Sequence, residues 1–173
     1  TGPCGPDTEM FIIHDQAPCS EHCDPSCDCG RYLEIWNNVF MQFYRHEDGS
    51  YTKLTQRNVD TGMGLERTLC TLNGTASVYD TDLFDGAKAE IERLTGKKYG
   101  ESEEVTKAFR IILDHIRTAT FMLGDTRGVV PSNVDQGYIL RRLIRRAVRF
   151  SRHLGLETGN LRHVAAAFVE KYK

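Results

Sequence analysis

The stretch Val59-Asp60-Thr61-Gly62-Met63-Gly64-Leu65-Glu66-Arg67 predicts a strand that passes directly into a helix. Its two glycines lack Cβ atoms, so the backbone there can approach a bulky ligand closely. The Asp60 carboxylate can pair with a cation such as a substrate ammonium. The Arg67 guanidinium offers five donors in a rigid fork that suits phosphate oxygens. A glycine bend with a surface Arg–Glu pair explains the same residues equally well, because a G-x-G spacing alone is a weak motif.

Strands are expected on the N-terminal side of this stretch. Asp7–Ile13 has the composition of a strand, and its apolar end, Met10–Ile13, suits a central position in a sheet. Tyr32–Tyr44 is rich in aromatic and β-branched residues and predicts one long strand. Asp48-Gly49 is a hairpin signal, so Tyr51–Leu54 is expected to return antiparallel to the long strand.

The first residues, Thr1–Pro6, are rich in glycine and proline and predict a rigid turn. Glu9 lies soon after this turn, at the beginning of the predicted strand. A carboxylate that enters a buried strand must be paired or must face a site, which makes Glu9 a candidate binding residue.

Helical patterns dominate after the glycine stretch. The helix that begins at Leu65 is expected to end near Leu72, because Asn73-Gly74 is a stop signal. Four further helices are expected from capping residues and from apolar spacing: Leu83–Leu94, Glu103–Phe121, Gln136–His153 and Leu161–Tyr172. The sequence therefore predicts an α+β chain in which residues 1–76 are mostly β and residues 77–173 are helical.

The 173-residue chain has a net charge of -2, which gives no global sign of a nucleic-acid partner. Its length is enough for one domain with a sizeable core, or for one and a half. It contains neither a signal peptide nor a run of about eighteen apolar residues, so we expect no membrane partner and a cytoplasmic location. Because the sequence begins at Thr1 on Gly-Pro-Cys-Gly-Pro, without Met, we expect a fragment or a processed chain.

Four of the six cysteines, Cys19, Cys23, Cys27 and Cys29, fall in a polar loop over residues 16–30. Zn²⁺ takes four thiolates tetrahedrally, and short spacings with proline and glycine let a loop wrap around the ion. In a reducing compartment such a cluster indicates metal before disulfides. The spacing predicts a structural zinc site, with no open position for catalysis. Free reduced cysteines and disulfides are the alternatives.

Within the predicted helix Gln136–His153, the stretch Tyr138–His153 carries six arginines and no acid. A face of arginine alone repels itself unless phosphate neutralises it, so nucleic-acid backbone is the expected partner. Pairing with acids elsewhere, such as Glu90, Glu92, Glu103 and Glu104, is the alternative. Asn133, just before the helix, is either a cap or a reader of a base edge. His115 is expected to be structural.

Five motifs, in order along the chain, carry a resemblance to a known family. They are Gly-Pro-Cys-Gly-Pro-Asp-Thr-Glu at 2–9, Leu-Glu-Ile-Trp-Asn-Asn-Val-Phe-Met-Gln at 33–42, Val-Asp-Thr-Gly-Met-Gly-Leu-Glu-Arg at 59–67, Asp-His-Ile-Arg at 114–117 and Pro-Ser-Asn-x-x-x-Gly-Tyr-Ile-Leu-Arg-Arg-Leu-Ile-Arg-Arg-Ala at 131–147. The first three resemble the catalytic domain of the alanyl-tRNA synthetase family, in class II, and the last two its helical tRNA-recognition domain. The resemblance implies part of the antiparallel class II sheet over residues 1–76, followed by part of an all-α domain over residues 77–173.

The family activates alanine with ATP and Mg²⁺ to alanyl-adenylate and then esterifies the 3′ end of its tRNA. The resemblance implies that Arg67 contacts the ATP phosphates and that Asp60 holds the alanine ammonium, and it makes these two the catalytic residues. It also implies that Asn133 helps to read the G·U pair of the acceptor stem. The other implied contacts to alanine or ATP are Glu9, Trp36, Asn37, Gly62 and Gly64, and the other implied tRNA contacts are Arg141, Arg142, Arg145 and Arg146.

The first two class II motifs are missing from this sequence. We therefore expect the isolated chain to be inactive and the parent protein to be an alanine–tRNA ligase. A stand-alone tRNA-binding module that does not activate alanine is the alternative. An exposed edge of the half-sheet is also expected to allow self-association.

Overall fold

The computed structural model describes residues 1–173, except the side chain of Thr158. It divides into two compact units, Thr1–Val78 and Tyr79–Lys173. The first unit contains four strands and one helix: β1 (Gly2–Cys4), β2 (Asp7–Ile13), β3 (Tyr32–Arg45), β4 (Tyr51–Met63) and α1 (Leu65–Leu72). The remaining helices are α2 (Asp85–Thr95), α3 (Glu103–Gly124), α4 (Asp135–His153) and α5 (Leu161–Lys171), with short 3₁₀ turns at Val78–Asp80 and Thr158–Asn160. The predicted α+β class is confirmed.

The long strand β3 organises the sheet. It pairs antiparallel with β1 and β2 along one edge and with β4 along the other. The prediction of one long strand is confirmed within a residue of its end. Strand β4 is much longer than the predicted Tyr51–Leu54, because β3 supplies a partner for its polar residues as far as Met63.

The prediction that Met10–Ile13 is central in the sheet is wrong for the strands that the structure describes. Strand β2 pairs with β3 alone and lies at an edge. Met10 is 48% exposed and Ile13 is 59% exposed. An apolar run indicates that burial of its side chains lowers the free energy of the folded chain. It does not indicate how many neighbouring strands the segment pairs with.

The prediction of a turn over Thr1–Pro6 is also wrong in part, because Gly2–Cys4 forms β1. The chain then runs so close to β3 that a Cβ added at Gly5 would lie 1.8 Å from the Phe40 carbonyl oxygen. The Phe40 N–H donates to the Pro6 carbonyl at 2.8 Å. The glycine is thus required by close approach of two backbones.

A bulge in β3 ties the glycine stretch to the sheet. The register between β2 and β3 shifts between Met10 and Phe11, which leaves Ile35 as the extra residue of β3. The Ile35 carbonyl accepts from the Gly64 N–H at 3.0 Å. This bond fixes the point at which β4 ends and α1 begins, as the sequence predicted.

Residues Tyr79–Lys173 pack around α3. Ser102 caps this helix through its side chain, which accepts from the Val105 N–H at 3.2 Å. Helix α2 begins at Asp85, two residues after the predicted start at Leu83. Leu83 lies in a turn in which the Phe84 N–H donates to the Thr81 carbonyl. The fully buried side chains come from four helices and include Ile91, Phe109, Ile112, Leu113, Leu140, Val164 and Phe168. Within the described residues, no helix is long and apolar enough to cross a membrane.

Candidate functional site

A polar row crosses three strands on one face of the sheet. Glu9 on β2 lies opposite Asn37 on β3, which lies opposite Gly62 on β4. The Asn37 amide nitrogen donates to Glu9 Oε1 at 3.2 Å and to Asp7 Oδ2 at 3.4 Å. Residues that pair directly across strands present their side chains on the same face. The sequence predicts a Glu9 carboxylate that is paired or faces a site. Glu9 is exposed, and its carboxylate accepts from Asn37.

Asp60 belongs to the same face as this row. It lies opposite Val39, two residues along β3 from Asn37. A Cβ added at Gly62 would meet no atom within 4 Å, so the space above the Gly62 backbone is open. The structure therefore brings Glu9, Asn37, Asp60 and Gly62 together around an open strip of backbone.

Trp36 lies on the opposite face. Its indole Nε1 donates to Thr61 Oγ1 at 2.5 Å, and that hydroxyl donates to Asn38 Oδ1 at 2.8 Å. Trp36 and Asn37 are adjacent in an extended strand, and adjacent side chains point to opposite faces. The structure thus separates two residues that the family resemblance assigned to one alanine pocket.

Arg67 lies in the first turn of α1, beside the glycines. Its Nη1 donates to the Glu34 carbonyl oxygen at 2.8 Å and lies 3.6 Å from Glu34 Oε2. A Cβ added at Gly64 would lie 3.3 Å from the nearest carbon of the Arg67 side chain, so the arginine stem rests against the glycine. Because a guanidinium has five N–H donors, most of the fork remains for an anion. Glu34 is a positioning residue that the sequence did not single out.

The thiols of the cysteine loop converge. The Sγ atoms of Cys19, Cys23 and Cys27 all lie within 4.8 Å of one another, and Cys29 Sγ lies 3.8 Å from Cys23 Sγ. Tetrahedral coordination with Zn–S bonds of about 2.3 Å separates sulfurs by about 3.8 Å. The described cysteines form no disulfide. Cys19, Cys23 and Cys27 therefore fit a zinc site in type and spacing, and the fourth predicted thiol, Cys29, lies beside Cys23.

The electrostatics of the cluster distinguish two of its thiols. A hydrogen bond from the Cys19 backbone lowers the pKa of Cys23. A hydrogen bond to Cys23 and desolvation raise the pKa of Cys19 to about 12. Of these two thiols, Cys23 therefore forms a thiolate more readily, and the thiolate is the form that a metal binds.

The six arginines of α4 are exposed, and we call them the arginine surface: Arg141, Arg142, Arg145, Arg146, Arg149 and Arg152. None of them forms an ion pair with a carboxylate of the described residues. Two acids that could have paired with them have other partners: Glu90 Oε1 lies 2.7 Å from Arg93 Nη2, and Glu92 Oε2 lies 2.7 Å from Lys98 Nζ. The alternative of neutralisation by these two acids is therefore wrong.

Asn133 is in contact with the arginine surface. Its side-chain oxygen accepts a hydrogen bond from Arg141 Nη1. The structure thus brings together the proposed base reader and one of the proposed phosphate contacts. The expected cap is not formed, because the residue at the helix N-cap is Val134 and no side chain caps the helix there.

The family model described as tRNA synthetases class II (A) matches the chain over residues 1–173. The chain belongs to this class II synthetase family. It is 53% identical over 169 residues to an alanine–tRNA ligase of Treponema denticola, covering 98% of this chain and 28% of the relative. It is 51% identical over 173 residues to an alanine–tRNA ligase of Borrelia hermsii, covering 100% of this chain and 29% of the relative. It is 47% identical over 172 residues to an alanine–tRNA ligase of Carboxydothermus hydrogenoformans, covering 98% of this chain and 20% of the relative. The chain thus spans less than a third of the length of these relatives.

A glycine positions the loop before α4 in this class II synthetase. A Cβ added at Gly137 would lie 2.6 Å from the Val130 carbonyl oxygen and 2.3 Å from Ser132 Oγ. The Ser132 N–H also donates to the Gly137 carbonyl at 3.0 Å. Gly137 therefore holds the loop that carries Asn133 against the helix, a role that the sequence pattern did not reveal.

Replacing Gly137 with alanine is expected to destabilise the class II synthetase by about 1–3 kcal/mol, as overpacking does, because the Val130 backbone must move. Urea denaturation measures this change. The matched control is Gly86→Ala in α2, where an added Cβ meets no atom within 4 Å. That control should leave stability unchanged or raise it, since alanine favours helix. Equal stability of the two variants would contradict the role given to Gly137.

Proposed function

We propose that this chain is part of an alanine–tRNA ligase. The observation that carries the proposal is the open polar face with Glu9, Asn37, Asp60 and Gly62, next to Arg67, in a class II chain about 50% identical over its length to alanine–tRNA ligases. The reaction joins alanine to ATP, releases pyrophosphate and forms alanyl-adenylate. The alanyl group then passes to the 3′ end of the tRNA.

The residues of the open face have distinct roles in this proposal. Asp60 holds the alanine ammonium through a charge-assisted hydrogen bond. Asn37 is the proposed contact to the alanine carboxylate. Because its amide donates to Glu9 and Asp7 in this structure, one of these two bonds must give way to the substrate. Gly62 lets the substrate lie against the backbone, because a side chain there would fill the open strip.

Arg67 has the role of neutralising negative charge on the ATP phosphates. The aliphatic part of its side chain packs against Gly64, and its guanidinium donates to the Glu34 carbonyl oxygen, which restricts its orientation. Mg²⁺ arrives with ATP and shares this charge. The assignment of Trp36 to the alanine side chain stays a prediction, and its position against Thr61 on the other face does not support it.

The arginine surface is proposed to bind the acceptor stem of the alanine tRNA, with Asn133 reading the G·U pair. Phosphates supply the affinity, and the base edge supplies the discrimination. This makes residues 77–173 a tRNA-recognition segment and residues 1–76 the second half of the catalytic domain. The cytoplasm, where tRNA is charged for protein synthesis, is the proposed location.

Zinc is the proposed metal of the cysteine loop, held by Cys19, Cys23, Cys27 and Cys29. The loop connects β2 to β3, and its base is closed by the His14 N–H, which donates to the Arg31 carbonyl at 2.8 Å. A bound ion would crosslink this loop and so restrict the motion of the two strands that carry Glu9 and Asn37. Four thiolates leave no position for a substrate, so the zinc is structural.

The competing function is a tRNA-binding module that does not activate alanine. Aminoacylation of alanine tRNA by the full-length protein separates the two. The ligase is expected to charge the tRNA with alanine at a rate that depends on ATP. Binding of tRNA without any charging would favour the module.

Self-association stays a prediction. The edge of β4 that faces away from β3 pairs with none of the described strands and could pair with a second copy. Sedimentation analysis measures the oligomeric state.

Binding of the acceptor stem is expected to weaken steeply with salt. Replacing Arg141 and Arg145 together with alanine should reduce the slope of log K against log salt by about 1.4–1.8, since each phosphate contact contributes about 0.7–0.9. The control is Arg93→Ala, which removes a guanidinium already paired with Glu90. Filter binding of an acceptor-stem hairpin at several salt concentrations measures the slopes. Identical slopes in the unmodified protein, the double variant and Arg93→Ala would contradict phosphate binding by the arginine surface.

A further inference from the structure

A charged groove lies between α3 and α4, beside the arginine surface. Its volume is about 660 Å³, and its walls include Glu103, Lys107 and Arg110 of α3 and Arg146 of α4. This is much larger than a single small anion needs, and the groove is open to solvent. Three cations and one carboxylate line it, so its net charge is positive.

The cations differ in how firmly they are held. Arg110 Nε donates to the Tyr99 hydroxyl at 2.9 Å, and its guanidinium lies over the rings of Tyr79 and Tyr99 at 5.7 and 5.9 Å. Lys107 is exposed and forms no ion pair with a carboxylate of the described residues. Although Glu103 lies one helical turn before Lys107 in the same groove, the two are not paired. Lys107 thus brings an unneutralised charge to the same groove as Arg146.

The groove is continuous with one side of α4. Arg142, Arg146 and Arg149 follow one another at helical spacing and project from the same side of the helix. Arg146 belongs both to this row and to the groove wall. An extended polyanion that lies along the row therefore also meets the cations of α3. A nucleic-acid backbone has this form, whereas an isolated phosphate does not.

We propose that Lys107, across the groove from Arg146, forms a second wall of the tRNA-binding surface and contacts backbone phosphates of the acceptor stem. This inference rests on the proposed function and adds α3 to it. A wall on each side would orient the acceptor stem on α4, while Asn133, which contacts Arg141, reads the base pair. Lys107 would carry no sequence information, because phosphates are the same at every base pair.

The test compares Lys107→Ala with Lys98→Ala in the full-length protein. Lys98 is also exposed, but its ammonium pairs with Glu92. The probes are acceptor-stem hairpins with the G·U pair and with G·C in its place. Lys107→Ala is expected to weaken binding of both hairpins by the same factor, about 5- to 10-fold at low salt, and to reduce the salt slope by about 1. Lys98→Ala should bind as the unmodified protein does, and alanine-dependent ATP–pyrophosphate exchange should be unchanged in both variants.

The outcomes separate this inference from the function on which it rests. If Lys107→Ala binds both hairpins with the affinity and slope of Lys98→Ala, the second wall is wrong and the ligase proposal stands. A loss confined to the G·U hairpin would also overturn a phosphate contact. If the unmodified protein binds neither hairpin, both the groove and the proposed RNA partner are overturned, while exchange with alanine still reports on the catalytic half.

Discussion

Alanine at position 67 is expected to lower kcat/KM for ATP–pyrophosphate exchange by about 100- to 1000-fold, equivalent to about 2.7–4 kcal/mol. The aliphatic stem of Arg67 lies beside Gly64, and its guanidinium contacts Glu34 with donors left over that can neutralise charge on the ATP phosphates. Such a contact is worth more as charge moves in the transition state, so kcat should fall more than KM rises. Steady-state exchange in the full-length protein at saturating alanine measures both constants.

Two further variants show whether the effect belongs to Arg67 itself. Arg67→Lys keeps the charge but loses the fork, and an intermediate loss is expected. Arg57→Ala removes an exposed arginine of β4 in the same unit and should leave exchange unchanged. Since Arg67 also contacts Glu34, circular dichroism must show the same fold in all variants. Full exchange activity in a folded Arg67→Ala protein would refute the phosphate role.

The second large effect concerns the cysteine loop. The full-length protein is expected to contain one zinc ion bound in this loop, and Cys27→Ser should lose it, because a structural thiolate site binds with about 10–16 kcal/mol. Elemental analysis before and after dialysis against a chelator measures the metal content. The matched control is Cys4→Ser, which changes a cysteine of β1 outside the cluster and should retain the metal.

Loss of the metal is also expected to loosen the connection between β2 and β3. Hydrogen exchange should therefore rise in the loop over residues 16–30 and at the ends of both strands, but not in Tyr79–Lys173. A metal-free protein with four thiols that react freely with a thiol reagent would overturn the zinc assignment. The same exchange pattern with and without metal would show that the ion does not staple the strands.

Much of the fold could be predicted because the local signals agree with the tertiary contacts. The aromatic and β-branched run after Tyr32 and the stop signal at Asn73-Gly74 both correspond to what the structure contains. The extension of β4 over polar residues such as Gln56 and Asn58 could not be predicted, because a neighbouring strand and not composition makes it a strand. The pairing of β1 with β3 escaped notice for the same reason.

The residue types of the candidate site could be predicted from the sequence. Which of their side chains share a face of the sheet could not. Charge and glycine spacing alone indicate Asp60 and Arg67 as candidate site residues. That Asn37 and Asp60 share a face depends on the register of β3 with β4, which the sequence does not contain. The same register separates Trp36 from them, and the bulge at Ile35 sets where α1 begins. A one-residue slip would have reversed the faces, so no pattern in either strand alone could decide them.

Alanine-dependent ATP–pyrophosphate exchange by the full-length protein tests the central claim most directly. The proposed function predicts exchange that requires alanine and Mg²⁺. Glycine and serine are expected to support it less well, but only by about 10- to 200-fold, since one methyl or hydroxyl group gives limited discrimination. Exchange driven equally well by an unrelated large amino acid, or no exchange by a folded full-length protein, would contradict the assignment of this chain to an alanine–tRNA ligase.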